Sequence, residues 1–267
     1  MQWRLLQHTL GGKEISMDNI LITGGSGFIG GWLSRTPPKN VLINQLSRWG
    51  YAAGDWRTGQ WKYIIHLAPV PVDDVIACAE KCGATVLLAS SGGVYDRNLT
   101  DYFRMKLDDE NKLLASDLNV KIARIFATCG AGMKWKRYAI GNFIQQAEAG
   151  GPINVQSYGL VIRSYLYGSD LAEWLWAILL NGKPGGIYNI GSDVPHSTQE
   201  LAFEIAQYYN PKPVINIERR MEDEPRPFYV PDISQARDEL GLTIKVDFEE
   251  AVKRTVKDYR NEKRSTA

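Results

Sequence analysis

The stretch Ile20-Leu21-Ile22-Thr23-Gly24-Gly25-Ser26-Gly27-Phe28-Ile29-Gly30 decides the fold. A short apolar run meets a cluster of glycines, and an apolar pair follows. The pattern predicts a buried strand, a tight turn and the start of a helix. Glycines let the backbone bend sharply and come close to a ligand, because no Cβ intervenes. The opening turn of the helix, at Phe28 and Ile29, then offers free N–H groups to a diphosphate. Gly25, Gly27 and Gly30 satisfy G-x-G-x-x-G, and Gly24, Gly27 and Gly30 satisfy the related G-x-x-G-x-x-G. Placed after an apolar run, this is the context that a dinucleotide site requires.

The rest of the composition bounds what surrounds that turn. The chain has 267 residues, of which 44% are apolar, enough for one large domain or one and a half. Its net charge is +1 with no long basic run, which argues against a nucleic-acid or anionic-membrane surface. The longest apolar candidate for a membrane span, around Trp174 to Leu180, is too short. Residues 1–16 carry Arg4, His8, Lys13 and Glu14 and do not read as a secretory signal. They are set aside as a leader, with Met17 directly before the first strand. Cys78, Cys82 and Cys129 fit a reducing cytosol, so a cytoplasmic location is expected. The Cys78/Cys82 pair reads as two thiols and no metal is expected, because zinc takes four ligands.

Outward from the glycine turn, strands and helices alternate. Phe28 to Ser34 reads as a helix ended by Pro37-Pro38, and Val41 to Ile43 as the second strand, closed by Asn44. The residue there meets the adenosine ribose in dinucleotide-binding folds. An acid would bind both ribose hydroxyls; Asn44, followed by Ser47 and Arg48, tilts the choice between NAD and NADP slightly towards NADP. A short strand over Tyr51 to Ala53 leads to Gly54-Asp55-Trp56. Tyr63 to Ala68 reads as a central strand, Asp73 to Cys82 as a helix, and Thr85 to Ala89 as a strand ending in Ser90-Ser91. Such alternation predicts an α/β fold, a parallel sheet with helices on both faces. Gly24, Asn44, Ala68 and Ser91 then fall at the carboxyl ends of strands, where ligands gather. Tyr102 to Ser116 reads as a helix on which Tyr102 and Lys106 share a face. Beyond it come a strand from Val120 to Phe126 and a helix from Asn142 to Ala149. Short strands follow at Ile153 to Val155 and Val161 to Tyr167, then a helix from Asp170 to Leu180 and a strand from Tyr188. Three helices follow: Thr198 to Tyr208, Ser234 to Leu240 and Phe248 to Tyr259. The first is capped by Ser197 with Glu200, and the last precedes a polar tail from Asn261 that is expected to fray.

Taken in order, these motifs resemble the extended short-chain dehydrogenase/reductase family, in its nucleotide-sugar epimerase/dehydratase branch. The resemblance rests on the glycine turn from Thr23 to Gly30, His66-Leu67-Ala68, Ser90-Ser91-Gly92-Gly93-Val94-Tyr95 and Tyr102-x-x-x-Lys106. It extends through Arg124-Ile125-Phe126, Arg163-Ser164-Tyr165 with Asp170, Tyr188-Asn189-Ile190-Gly191, and Pro231-Asp232-Ile233-Ser234-Gln235-Ala236. It implies a Rossmann-type doubly wound sheet with a smaller C-terminal lobe that grips a nucleotide sugar. The expected cofactor domain is 17–130 with 161–190; the lobe is 131–160 with 191–260, and 261–267 is the tail. The resemblance makes Ser91, Tyr102 and Lys106 the catalytic trio, places Asp55 against adenine, and aims Arg163 at the sugar nucleotide's diphosphate. Arg219, Arg220 or Arg226 would supply a second cation there, since the guanidinium fork matches phosphate oxygens. A homodimer is left open.

A free tyrosine, with a pKa near ~10, is a poor base at neutral pH. The Lys106 ammonium favours the phenolate, so Tyr102 can take a proton from a sugar hydroxyl while hydride leaves, with Ser91 bonding the same oxygen. Relatives that dehydrate the sugar carry carboxyls where this chain has Gly92 and Gly93. That argues against a 4,6-dehydratase, weakens a glucuronate decarboxylase, and leaves a 4-epimerase or a 4-ketosugar reductase. The chain departs from the family in the short loop between Ser91 and Tyr102 and in Ala127 where relatives place asparagine. Those departures motivate two alternatives: a catalytically silent NAD(P)-binding regulator, or a reductase of a non-sugar carbonyl. Trp49, Trp56 and Trp61 are expected to pack rather than to stack on adenine.

Overall fold

The structure is a computed structural model and describes residues 8–10, 13–15, 17–46, 55–68, 70–156, 160–217 and 227–266. Its contacts divide the chain into two compact units, Met1–Arg124 with Ala172–Tyr188, and Ile125–Leu171 with Asn189–Ala267.

In the first unit, β1 (His8–Leu10) and β2 (Lys13–Ile15) pair antiparallel, with Thr9 opposite Glu14. The stretch set aside as a leader thus contains a two-stranded ladder. The main chain path then follows β3 (Asp18–Thr23), α1 (Phe28–Arg35), β4 (Val41–Leu46), β5 (Tyr63–His66), α2 (Val72–Cys82), β6 (Thr85–Ser91), α3 (Asp101–Leu114) and β7 (Val120–Ile125). With the later β12 (Ile187–Ile190) these strands make a six-stranded parallel sheet in the order β12-β7-β6-β5-β3-β4. From β3 the chain steps one way to β4, and from β5 onward it steps the other way. Right-handed crossovers therefore put α1 on one face and α2 and α3 on the other. The reversal opens a crevice at the carboxyl ends of β3 and β5.

The alternation of side chains explains why both faces are apolar. Leu21, Ile64, Val86, Leu88, Val120 and Ile122 share one core cluster with Val75, Cys78 and Leu113 of the helices. Their neighbours Ile20, Ile22, Ile65 and Leu87 are equally buried. Trp56 and Trp61 also pack in that cluster, and the Trp61 indole N–H donates to the Trp56 carbonyl at 2.8 Å. Gly83, with φ +66°, closes α2 in the left-handed region.

Among the boundaries that differ from the sequence reading, three change the picture. β4 runs on to Leu46, because its ladder with β3 continues to Thr23 opposite Leu46. Asn44 therefore lies inside the strand, opposite Leu21, and not at its end. Second, Ile162–Arg163 and Leu166–Tyr167 are separate short strands, split at Ser164 and Tyr165. Third, the final helix does not stop near Tyr259; it extends from Phe248 to Thr266. The expected strand over Tyr51 to Ala53 lies outside the described residues.

In the second unit, β8 (Thr128–Cys129), α4 (Ala139–Glu148), β9 (Ile153–Val155), β10 (Ile162–Arg163), β11 (Leu166–Tyr167), the start of α5 (Gly168–Asn181), β13 (His196–Ser197), α6 (Thr198–Ala206), β14 (Ile215–Ile217), β15 (Phe228–Tyr229), α7 (Ser234–Leu240) and α8 (Phe248–Thr266) follow in order. β8 pairs with β11, β9 with β14, and β10 lies between β13 and β15. Ser197 and Glu200 form the expected capping box of α6. The end of α8 is held by work for its acids. Glu262 accepts from the Gly132 amide at 2.6 Å and the Trp135 indole at 2.8 Å, and Asp258 accepts from the Ala131 amide at 3.0 Å and the Tyr167 hydroxyl at 2.7 Å. These bonds fix a segment that its polar composition alone would leave to fray.

Candidate active site

The glycine turn is shaped by close backbone approach. Gly24 has φ +74°, where a side chain is strained. A Cβ at Gly24 would stand 3.1 Å from the Ala68 amide nitrogen, and one at Gly30 only 2.3 Å from the Gly25 carbonyl oxygen. Gly30 thus lets α1 start hard against the turn. Gly27, the residue before α1, is exposed, and the nearest atom to a Cβ there is the Gly24 carbonyl oxygen at 3.3 Å. No side chain caps α1 and no acid lies in its first turn. The N–H groups at Phe28 and Ile29 are therefore left to an anion, as a diphosphate requires. The residues present fit a dinucleotide.

Two residues missed in the sequence complete this end of the sheet. The Thr23 hydroxyl accepts from the amides of Leu67 at 3.2 Å and Ala68 at 3.4 Å, and lies 2.8 Å from His66 Nδ1. With its oxygen already accepting, its proton goes to Nδ1, which assigns His66 as the neutral tautomer protonated at Nε2. Burial lowers the His66 pKa to about 3, with the nearby Lys106 charge acting the same way. Gln45, the second missed residue, packs its side chain against Gly25 and donates to Ser34 Oγ at 2.5 Å. In the sequence Thr23 heads the glycine motif without a role of its own, and the signal for Gln45 is only its proximity to the strand end.

The other half of the site grows from β6 and α3. β6 ends at Ser91, whose Oγ accepts from the Gly93 amide at 3.2 Å and keeps its own proton to donate. A turn of 3-10 helix, Gly92–Tyr95, follows. A Cβ at Gly93 would stand 2.2 Å from the Phe103 ring, so that ring occupies the place of any side chain there. Thr100 caps α3 by accepting from the Phe103 amide at 3.3 Å. Tyr102 stands on the first turn, 49% exposed, and Lys106 on the next turn is 4% exposed. Burial lowers the Lys106 pKa, and Asp109 and then Glu110 act against that shift.

Behind Lys106 the charges are tightly paired. Glu110, 1% exposed, accepts from Ser90 Oγ in a short hydrogen bond. It also accepts from Arg124 Nε at 3.1 Å and from the terminal nitrogen of Arg124 at 2.6 Å. The Arg124 guanidinium lies 4.6 Å from the centre of the Tyr95 ring. One carboxylate thereby ties β6, α3 and β7 together beside the expected catalytic trio.

The structure thus brings Gly24, Gly27, Phe28, Ile29, Gly30, Ala68, Ser91, Tyr102 and Lys106 into one unit. Asn44 is a correction: it sits within β4, half-buried, with its amide directed to the Leu42 carbonyl at 3.4 Å. Arg48, Arg219, Arg220 and Arg226 lie outside the described residues, as does the side chain of Asp55, whose backbone opens a 3-10 turn. Arg163 belongs to the second unit, on β10, with its guanidinium 5.2 Å from the centre of the Tyr229 ring. Asp170 is structural: its carboxylate is buried and accepts from the amides of Lys245 at 2.8 Å and Val246 at 2.9 Å.

A model of the NAD dependent epimerase/dehydratase family matches residues 50–191, more than half of the chain and including Ser91, Tyr102 and Lys106. The chain belongs to that family. Among curated relatives, UDP-glucuronic acid decarboxylase 3 of Arabidopsis thaliana is 30% identical over 210 residues, covering 70% of this chain and 61% of that protein. The chain therefore spans less than two thirds of that relative's length. Among solved structures, an epimerase from Methanothermobacter thermautotrophicus is 19% identical with a TM-score of 0.78 and covers 94% of each chain. MoeE5, solved with UDP-glucuronic acid and NAD, is 21% identical with a TM-score of 0.77 and covers 91% of this chain and 99% of its own. At those identities the two structures speak for the fold. Among the described residues, no helix is long and apolar enough to cross a membrane.

Proposed function

We propose that the protein transfers hydride between a bound nicotinamide cofactor and a carbon of a nucleotide sugar. The observation that carries this reading is a buried Lys106 one helical turn from an exposed Tyr102, in the unit that also holds the glycine turn and Ser91. NAD is the cofactor proposed, as in the relative solved with it. The slight tilt to NADP loses its footing, because Asn44 is not at the strand end and Arg48 lies outside the described residues. Gly24, Gly27, Phe28 and Ile29 would hold its diphosphate, and Lys106 its nicotinamide ribose. The bound nicotinamide supplies the hydride acceptor and donor.

Tyr102, as phenolate beside the Lys106 ammonium, takes the proton of a sugar hydroxyl as that C–H bond yields its hydride and the carbonyl forms. Ser91 donates a hydrogen bond to the same oxygen. Tyr102 returns the proton when hydride comes back. Phe103 fills the space over Gly93, and neither Gly92 nor Gly93 carries a carboxyl, so these two loop positions supply no acid and base for removal of water. That supports a 4-epimerase or a 4-ketosugar reductase over a dehydratase. Arg163, which resembles the family's diphosphate ligand, would hold the nucleotide.

A second reading is favoured by the decarboxylase relatives. Oxidation next to the carboxylated carbon of a uronic acid gives a β-keto acid. Such an acid loses carbon dioxide and leaves an enolate without needing a carboxyl pair, so Gly92 and Gly93, which the sequence reading counts against a decarboxylase, do not oppose one. Incubation with NAD and either UDP-glucuronic acid or UDP-glucose separates the readings. Carbon dioxide release from the first supports the decarboxylase; C4 inversion of the second supports the epimerase. Absence of both carbon dioxide release and C4 inversion across a panel of nucleotide sugars, despite tight cofactor binding, would defeat both.

A further inference from the structure

Lys106 stands in a buried place, where an ammonium loses its hydration and tends to shed its proton. The charges around it come from several elements. His66 on β5 is neutral, since its pKa lies at about 3. Glu110 on α3 is already engaged by the Arg124 fork from β7 and by Ser90 from β6. Asp73 on α2 takes Lys112 at 2.7 Å, and Asp108 is on the exposed face of α3. Tyr102 is one turn back.

Asp109 is different. Its Oδ2 lies 3.8 Å from Lys106 Nζ, and its side chain is 15% exposed, against 5% for the lysine. Burial raises the Asp109 pKa, and Lys106 is the foremost group opposing that rise. Each of these two desolvated charges is thus the other's main compensation. In water such an i,i+3 pair contributes little; here both partners have lost solvent, and the field between them is weakly screened.

We propose that Asp109 is the positioning residue that keeps Lys106 an ammonium in its buried place and so keeps Tyr102 ready to act as base, an inference that rests on the catalytic reading of that tyrosine. Its contact is with the lysine, through which it would act. It also pulls Nζ along the helix, so the same carboxylate sets where the ammonium sits.

The test is a titration of the full chain that needs no substrate. Protein carrying lysine labelled with carbon-13 at Cε is followed by NMR across alkaline pH, with the Lys106 signal assigned by its loss in Lys106→Arg. Asp109→Asn is expected to lower the Lys106 midpoint by about one pH unit or more, a tenfold or greater loss of proton affinity. Asp109→Glu restores most of it. Asp109→Ser, also neutral, repeats the measurement if the asparagine variant melts early. A midpoint within about 0.3 unit of the parent protein in both neutral variants overturns the proposal. The catalytic reading is judged separately by turnover of Tyr102→Phe. An active Tyr102→Phe with a shifted lysine refutes the reading and leaves the ion pair structural. An inactive Tyr102→Phe with an unshifted lysine refutes the role of Asp109. Where both behave as expected, the alkaline limb of kcat/KM moves to lower pH in Asp109→Asn by the same margin as the lysine.

Discussion

The turn from Gly24 to Gly30 is made of backbone, whereas the cluster around Lys106 is made of side chains drawn from β5, β6, α3 and β7. In the turn, what matters is the absence of atoms: a Cβ at Gly30 would collide with Gly25, and the first N–H groups of α1 have no capping side chain. In the cluster, what matters is compensation: Ser90, Glu110 and Arg124 satisfy one another, and Lys106 leans on Asp109. The turn is a local device that eleven consecutive residues specify. The cluster exists only once four elements have come together. A mutation in the turn should therefore act by intrusion, and one in the cluster by leaving a charge or a donor without its partner.

The contrast is sharpest at the chemistry. Tyr102→Phe removes one oxygen and changes no packing, and its effect on stability should be small. It is expected to lower kcat by roughly 10²–10⁴-fold while cofactor binding persists. Equal turnover by this variant on an identified substrate would move the catalytic base elsewhere. Next in size is Glu110→Ala, which strands the Arg124 guanidinium, only 15% exposed, without its carboxylate. It should cost about 3–5 kcal/mol of unfolding free energy by urea denaturation. Glu110→Gln keeps hydrogen-bonding capacity but not the charge, and should fall between the two. If the alanine variant lost under ~1 kcal/mol, the pairing of β6, α3 and β7 through this carboxylate would not be what holds the cluster.

Within the turn, Gly30→Ala is expected to cost about 1–3 kcal/mol, at the upper end because the clash is with backbone rather than a flexible side chain. Its dissociation constant for NADH, read by fluorescence, should rise even at temperatures where the variant stays folded. At the seam between the two regions stands His66, and here the effect is one of pH. Its folded pKa of about 3 lies below the free value of 6.5, so the unfolded chain takes up the proton first. The stabilisation is complete above pH 6.5 and is lost as pH falls towards 3. At pH 5, some 1.5 units below the free value, the loss is about 2 kcal/mol. His196 is lowered in the same direction by its burial, so the comparison is with His66→Asn, which should flatten the dependence between pH 7 and 5. A parent protein equally stable at both values would show that His66 is protonated in place.

How much of this could be read from the sequence follows the same division. The glycine turn, the alternation of strands and helices and the Tyr102–Lys106 spacing are local patterns, and the fold follows from them. The pairing of Glu110 with Ser90 and Arg124 spans up to 20 residues of separation and leaves no periodic trace. Neither did the partnership of Thr23 with His66 and Ala68. Composition puts the strand end at Asn44, but β4 continues for two more residues along its ladder with β3, because strand ends are set by the partner strand as well. The polar end of α8 reads as frayed until the acids at Asp258 and Glu262 are seen to bind the Ala131 and Gly132 amides.

The smallest expected effect tests whether α3 is positioned from its start or from its middle. Thr100 accepts from the Phe103 amide and caps the turn that carries Tyr102. Thr100→Ala should cost about 1 kcal/mol of stability, the usual loss of a capping oxygen. The helix remains anchored further along by Glu110 and the buried Leu113, and Phe103 still packs over Gly93. Turnover well below the melting temperature should then change by less than about threefold, since Tyr102 keeps its neighbours and its lysine. A far larger loss of kcat at unchanged KM and full folding would mean that the cap itself aims the phenol. The first turn of α3 would then belong with the backbone-made glycine turn, and the division between the two regions would run through the helix instead of in front of it.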